Sequence, residues 1–205
     1  MILVIDTATA ACSVALVDGE VFLDELHAVV GRGHAERLVT MVETLMAGRR
    51  PDSILVDCGP GSFTGIRVGL AAAHGLAIGW GVPLAGYSSM AAVAAVAVAS
   101  VAGAHGEIAV ALEGGHGQLF VQTFDEETMR PLDTLRSLPP EGAAAVIRAQ
   151  RVAGSGAPAL VGARGFGEAV EAEPRAAEAR LLPRALRSLA PRPIYGRAPD
   201  AKPMR

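Results

Sequence analysis

The sequence contains no asparagine, a single lysine among its 18 basic residues, and only 4% aromatic residues. The scarcity of aromatic residues excludes a core built from large aromatic side chains. Because 51% of the residues are hydrophobic, the core must consist mainly of Ala, Val and Leu. The chain of 205 residues is long enough for one large domain or two small ones.

The sequence also has few cysteines, and none of its apolar runs has the length of a typical membrane span. Cys12 and Cys58 are the only two cysteines. Both lie in apolar, strand-like segments without metal-ligand spacing, which predicts buried free thiols in a reducing compartment. No basic segment precedes the apolar start, and the longest apolar run, residues 90–104, is shorter than the roughly 20 residues that cross a bilayer. We therefore expect a cytoplasmic protein without a membrane anchor.

The net charge of −3 is divided unevenly along the chain. Residues 1–128 contain five basic and fourteen acidic residues, whereas residues 129–205 contain thirteen basic and seven acidic ones. An acidic first half argues against a nucleic-acid-binding protein that acts alone. The basic second half is compatible with an RNA, an acidic partner or a solvated surface.

A glycine-rich segment, residues 58–69, is the most distinctive part of the sequence. It follows a short apolar run and precedes an Ala/Gly-rich stretch, which predicts a strand, a tight loop and a helix that Ser62 or Thr64 caps. Helix starts of this kind bind anions, but the segment departs from the dinucleotide, nucleoside-triphosphate and nucleophile-elbow motifs by a residue or two. We therefore expect Arg67 to be structural or to face a partner, and not to bind phosphate.

Asp6 ends the first apolar run, residues 2–5. A short loop and two further strands, residues 12–17 and 20–26, follow, with a hairpin turn between them. Actin-like and sugar-kinase-like ATPases hold metal-bound phosphate with such an arrangement, whereas an Asp at a strand end commonly forms a turn. Both interpretations remain open from the sequence.

Residues 33–46 have the periodicity of an amphipathic helix. Its apolar stripe consists of Leu38, Met41, Val42 and Leu45. A second histidine four residues after His34 would make a metal-binding pair, but Leu38 stands there. We therefore predict no metal site.

The helix predicted over residues 65–79 carries a strip of small residues. This small-residue strip consists of Gly65, Gly69, Ala72, Ala73, Leu76 and Gly79. Each glycine costs a helix interior about 1 kcal/mol relative to alanine, so the close approach of another element should compensate. That element is an internal strand or a second chain.

We predict that the two helices form one partner-binding surface, used by a related subunit or by a second copy of the chain. The predicted surface consists of His34, Leu38, Met41, Val42, Leu45, Gly65, Gly69, Ala72, Ala73 and Leu76. In the competing interpretation, both helices are buried only within the chain.

Five segments together resemble the TsaB (YeaZ) family. They are residues 5–9 (Ile-Asp-Thr-Ala-Thr), 32–38, 59–70 (with Gly-Pro-Gly-Ser-Phe-Thr-Gly), 86–89 (Gly-Tyr-Ser-Ser) and 193–202. The resemblance implies an α/β, actin-like or ribonuclease H-like (ASKHA) fold with two subdomains and mixed sheets flanked by helices. It divides the chain into an N-terminal subdomain, residues 1–100, and a smaller C-terminal one, residues 101–205, with a Pro-rich tail.

The same resemblance implies a function. Members of this family are non-catalytic partner subunits in bacterial biosynthesis of tRNA threonylcarbamoyladenosine (t6A). The expected partner is a TsaD-type catalytic paralogue that binds iron and nucleotide, together with a TsaE-type ATPase. Alone, the chain is expected to form a homodimer, to contact tRNA only through the complex, and to hold no metal, cofactor or catalytic residue of its own.

The second half departs further from the family. Residues 108–121 form a strand-loop-strand pattern without the Asp-Ala-Arg segment that family members often carry, and helices are predicted over residues 143–150 and 176–189. Two enzymes remain as alternatives, a small-molecule kinase or ATPase of the same fold and a metallopeptidase-like enzyme. The short first loop and the incomplete histidine pair favour the partner subunit over both.

Overall fold

The computed structural model describes residues 1–31, 33–100 and 106–196. The first half contains β1 (Ile2–Asp6), β2 (Ala11–Asp18), β3 (Val21–Val29), α1 (His34–Met46), β4 (Ser53–Asp57), α2 (Phe63–Trp80), β5 (Leu84–Tyr87) and α3 (Ser89–Ala99). The second half contains β6 (Glu107–Glu113), β7 (Leu119–Asp125), β8 (Arg136–Leu138), α4 (Pro140–Val146), β9 (Arg151–Ala153), α5 (Ala157–Arg164) and β10 (Glu168–Val170). Two 3₁₀ turns follow, Ala176–Leu181 and Arg184–Arg187.

The strands form two mixed sheets of five strands each. The first sheet has the order β3-β2-β1-β4-β5, in which β1 pairs antiparallel with β2 and parallel with β4. The second sheet has the order β10-β9-β6-β7-β8. The prediction of an α/β fold with mixed sheets flanked by helices is confirmed.

Strand β1 is buried on both faces, as its continuous apolar run predicts. Leu3 and Ile5 pack with α1 and α2 on one face, whereas Val4 points to the other face and packs with α3. Helix α3 is rich in Ala and Val and lies between the two sheets, where it also contacts β6 and β7. A helix that is apolar all round is suited to this enclosed position.

Serine side chains fix the starts of two helices. The Ser62 hydroxyl caps α2 by accepting a hydrogen bond from the Gly65 amide at 3.2 Å, and Ser88 caps α3 in the same way through the Met90 amide. The N-cap of α1 is Gly33, whose φ of 100° suits glycine. Of the two predicted caps of α2, Ser62 is therefore the one used.

The helix predicted over residues 176–189 is wrong. The chain forms two 3₁₀ turns there, and Leu182 between them is extended. Pro183 explains the difference, because proline lacks the amide hydrogen of a helix interior and disfavours helical geometry in the residue before it. The helix predicted over residues 143–150 begins earlier and ends at Val146, since Ile147 leaves helical geometry. The Ala-rich sequence also predicts a helix over residues 90–101, and the end of that helix at residue 101 lies outside the described residues.

The last described segment returns to the first half of the chain. Leu189 and Gly86 of β5 form an antiparallel bridge, and the Ile194 amide donates to the Cys58 carbonyl at 2.7 Å. Each half contributes its own sheet, and the division at residue 100 stays a prediction. The described helices include none that is both long and apolar enough to cross a membrane.

Candidate functional site

Two buried carboxyl groups lie side by side at the edge of the first sheet. Asp6 ends β1 and Asp57 ends β4, and both residues are buried. Because these neighbouring strands are parallel, their carboxyl ends meet at one edge, where ligands of open α/β sheets commonly bind. This edge is therefore the first candidate site.

Both carboxyl groups accept hydrogen bonds from other groups of the chain. Asp6 accepts hydrogen bonds from the Ala8 amide and the Tyr87 hydroxyl, each at 3.2 Å. Asp57 accepts one from the Gly59 amide at 2.7 Å and one from the Ser89 hydroxyl at 2.7 Å. The bond from Ala8 is a turn-forming contact, so the structure supports the second interpretation of Asp6.

Burial dominates the protonation of this pair. Burial raises the pKa of Asp6, and it raises the pKa of Asp57 well above its ordinary value, to which the neighbouring Asp6 charge contributes further. Burial also raises the pKa of the Tyr87 phenol. The raised pKa favours the protonated form of Asp57, and the pair joins the loops after β1 and β4 as a structural link.

His34 is buried near the start of α1, and its Nε2 lies 3.0 Å from the Thr9 carbonyl oxygen. The ring therefore fixes the loop between β1 and β2. Within residues 1–31, 33–100 and 106–196, no three His, Cys, Asp or Glu side chains are grouped to hold a metal ion. Cys12 and Cys58 are buried free thiols, as predicted.

Gly65 and Gly69 of α2 face the loop that follows β1. The Thr7 hydroxyl donates to the Gly65 carbonyl at 2.8 Å, and a Cβ on Gly65 or Gly69 would collide with Thr7. The Ser62 amide donates to the Ala8 carbonyl at 2.7 Å. This internal loop accounts for the first two glycines of the small-residue strip.

The predicted partner-binding residues divide into two groups. Most are buried within the chain, namely His34, Leu38, Met41, Val42, Leu45, Gly65, Gly69 and Ala73. Ala72 and Leu76 remain partly exposed. That this surface binds a partner stays a prediction. Fewer of its residues are accessible than the sequence suggested.

A groove of about 530 Å³ runs between α1 and α2. Its apolar lining includes Leu38, Val39, Val42, Ala72, Leu76 and Trp80. Val39 of α1 is 64% exposed, and Ile78 of α2, which lies outside this lining, is 82% exposed. The sequence pattern misses Val39 because it lies beside the buried stripe of α1, and it misses Trp80 because this residue follows the small-residue strip at the end of α2.

A second opening of about 910 Å³ lies between the two halves of the chain. The loops after β1 and β4 form one wall, and the glycine-rich hairpin between β6 and β7 forms part of the opposite wall. Arg67 of α2 lies at this opening, with its guanidinium carbon 3.6 Å from the centre of the Phe63 ring. We call this opening the interlobe cleft.

Contacts within the chain explain part of the uneven charge. Arg175 forms an ion pair with Glu25 of β3, and Arg187 donates to the Gly19 carbonyl at 3.2 Å. Basic residues of the second half thus bind to the acidic first half.

The fold and its openings define the class of the protein. Two mixed five-stranded sheets that meet at a cleft, with a helix between them, make it an actin-like (ASKHA-type) α/β protein. A family model described as "TsaD: tRNA N6-adenosine threonylcarbamoyltransferase" matches residues 27–173. The chain belongs to this family and, within it, to the TsaB (YeaZ) branch.

Individual relatives support the assignment to this branch. The chain is 37% identical over 102 residues to a "tRNA threonylcarbamoyladenosine biosynthesis protein TsaB" of Haemophilus influenzae, covering 47% of this chain and 42% of the relative. It is 40% identical over 95 residues to the protein of the same name from Escherichia coli, covering 43% and 40%. The chain therefore spans less than half the length of these curated relatives.

Two solved structures from Pseudomonas aeruginosa have the same fold. A protein described as having similarity to peptidase YEAZ is 28% identical, with a TM-score of 0.76, and the match covers 96% of this chain and 99% of that one. "YeaZ from Pseudomonas aeruginosa" is 29% identical, with a TM-score of 0.72 and coverage of 88% and 89%. These matches extend the likeness to nearly the whole fold.

Proposed function

We propose that the chain is a non-catalytic subunit in the biosynthesis of tRNA t6A, and that it pairs with a TsaD-type catalytic paralogue in the cytoplasm. The TsaB relatives are named for this pathway, and the matching family model describes the transferase itself. The proposal includes a TsaE-type ATPase as a further member of the complex and tRNA as a ligand of the assembled complex.

The apolar groove between α1 and α2 carries this proposal. Exposed apolar surface next to a groove is typical of protein-binding sites. Val39 and Leu76 offer such surface from α1 and α2, and Gly75 has open space around it, so a foreign helix can approach α2 closely. A paralogue of the same fold would present an equivalent pair of helices.

The same surface accounts for the expected homodimer. Two copies can bring identical patches together around a two-fold axis, so that a homodimer uses the surface that a paralogue would cover. The two assemblies are then mutually exclusive.

The buried acid pair supports a non-catalytic role. An ATPase of this fold needs carboxylates that are open to metal-bound phosphate. Here Tyr87, Ser89 and two backbone amides occupy the oxygens of Asp6 and Asp57.

Charge substitutions in the groove test the proposal. Val39→Glu and Leu76→Glu should leave the chain folded, because Val39 is exposed and Leu76 is partly exposed. Both should weaken association with the paralogue at least tenfold by burying an unpaired charge. Sedimentation, co-purification with the paralogue and t6A formation on tRNA with the TsaE-type ATPase provide the measurements.

Val146→Glu is the matched control, since Val146 is an exposed valine of α4, in the second half of the chain. This variant should associate and activate normally. Normal activation by Val39→Glu and Leu76→Glu, or equal loss with Val146→Glu, would contradict the proposed surface.

A further inference from the structure

The interlobe cleft shares no lining residue with the groove between α1 and α2. Much of its lining is apolar and exposed. Phe63 is 54% exposed, Tyr195 is 44% exposed, and Val29 at the end of β3 is 77% exposed. Exposed apolar side chains in a concave site are suited to bind a ligand. The proposed pairing through α1 and α2 leaves these side chains uncovered.

Arg67 is the only Arg or Lys among the cleft-lining residues that the structure describes, and its orientation is fixed. Its guanidinium lies over the Phe63 ring, and its Nε donates to the Tyr195 hydroxyl at 3.0 Å. The Phe63 and Tyr195 rings also contact one another, with centroids 5.6 Å apart. The two terminal nitrogens of Arg67 bind no acceptor among the described residues, so they form a preoriented fork for a carboxylate or phosphate.

The charges of the cleft distinguish between these two anions. Glu113, at the end of β6, and Glu173 also line it, and neither forms an ion pair within the described residues. The described lining of the cleft therefore carries one Arg, two Glu and the His116 ring. This balance disfavours a polyphosphate, whose several negative charges would face the glutamates. It favours a ligand with a carboxylate at one end, apolar groups in the middle and a basic group at the other.

An extended polypeptide segment has this chemistry. Phenylalanine, tyrosine and arginine are also the residue types that anchor protein interfaces. We propose that the interlobe cleft is a docking site for an extended segment of a partner protein, in which an acidic side chain that binds Arg67 lies beside apolar residues and a basic residue follows toward Glu113 and Glu173. This function is independent of the proposed pairing through α1 and α2.

A random peptide library displayed on phage tests the proposal with the full chain as bait and no paralogue present. Enriched peptides should combine an acidic residue, apolar residues and a basic residue. Synthetic copies should bind in calorimetry, and Arg67→Met should weaken them about tenfold or more, because a hydrogen-bonded charge pair is lost. Arg67→Lys, which keeps the charge but loses the fork, should weaken them less.

Arg184→Met is the matched control, because Arg184 is exposed and forms no ion pair within the described part of the chain. It should bind the peptides as the unsubstituted chain does. Melting temperatures of all three variants confirm folding.

Four results would overturn the proposal. They are a library without enrichment, peptides that bind Arg67→Met undiminished, ATP or ADP that binds in an Arg67-dependent manner, and enriched sequences that copy residues 197–205 of this chain. Because the assay contains no paralogue, none of these results bears on the pairing through α1 and α2.

Discussion

The carbonyl oxygen of Thr7 occupies the space that a Cβ on Gly65 would need. The Thr7 hydroxyl in turn donates to the Gly65 carbonyl at 2.8 Å. Helix α2 therefore lies directly against the loop after β1, and glycine is required at this contact for steric reasons. A Cβ on Gly69 would collide with the Thr7 hydroxyl oxygen instead, so a large residue at position 69 would also disturb the fold and would not be a clean test of a partner interface.

Gly65→Ala should destabilise the chain by about 1–3 kcal/mol, because overpacking moves the Thr7 loop. Gly75→Ala in the same helix is the control. Its added Cβ meets no atom within 4 Å, so it should stabilise the helix by up to about 1 kcal/mol. Denaturant unfolding of both variants measures the difference. Equal effects would show that the contact with Thr7 is not the reason for the glycine.

The acid pair predicts a pH dependence of stability. Because burial raises the pKa of Asp57 in the folded chain, its contribution is fully present below the unfolded pKa, near 3.8, and is lost as the pH rises through the folded pKa. Asp57→Asn keeps an oxygen for the Gly59 amide and carries no charge. The unfolding free energy of this variant should therefore fall less with rising pH than that of the unsubstituted chain.

Asp125→Asn is a control of opposite sign. Hydrogen bonds from Thr128 lower the pKa of Asp125, so its contribution is present above the unfolded pKa and is lost as the pH falls through the folded one. Denaturant unfolding between about pH 2 and pH 9 covers the range in which both carboxyl groups titrate. Parallel pH profiles of Asp57→Asn and the unsubstituted chain would contradict a raised pKa of Asp57.

Glu25 connects the first sheet to the 3₁₀ turn Ala176–Leu181. Its side chain is 8% exposed, pairs with Arg175 and accepts hydrogen bonds from the Ser13 hydroxyl and the Ala177 amide, each at 3.0 Å. Glu25→Ala should cost about 1–3 kcal/mol, because it leaves buried donors without an acceptor.

Glu25→Gln should cost less than Glu25→Ala, because the amide oxygen can still accept a hydrogen bond. Glu20→Ala, at an exposed position of the neighbouring turn, should be nearly neutral. Thermal unfolding ranks the three variants. A Glu25→Ala variant as stable as Glu20→Ala would show that this link does not hold the two halves together.

The isolated chain should hydrolyse ATP far more slowly than an ordinary enzyme, whose turnover is on the order of 1 per second or more. The expected reason is the enclosure of Asp6 and Asp57, whose oxygens are bound to protein groups. Phosphate release by metal-supplemented protein measures the rate. Ordinary turnover that Asp6→Ala abolishes would favour the kinase or ATPase alternative.

Local patterns predicted most of the first half of the fold. The continuous apolar run of β1, the hairpin between β2 and β3, and the Ser62 cap of α2 each depend on neighbouring residues, and local rules describe them well. The helix predicted across Pro183 failed for a local reason too, since the breaker was present in the sequence. The helix-breaking effect of this proline outweighs the helix propensity of the surrounding Ala and Arg residues.

The candidate sites depend on contacts between distant residues, which the sequence does not contain in readable form. Asp6 and Asp57 become neighbours only because β4 pairs with β1, and Tyr87 reaches Asp6 only from β5. The sequence signal for this contact is an Asp at the end of each of two apolar strands. The pairing of Arg67 with Tyr195 spans 128 residues, and no spacing rule predicts it.

Helix α2 meets three different neighbours along its length. Gly65 and Gly69 contact the Thr7 loop, Phe63 and Arg67 line the interlobe cleft, and the last turns, with Leu76 and Trp80, line the groove toward α1. A substitution in α2 that is compatible with one neighbour can therefore be incompatible with another, so few single substitutions in α2 are neutral. Over evolutionary time we expect α2 to change more slowly than α4 or α5, and its substitutions to occur in compensating pairs.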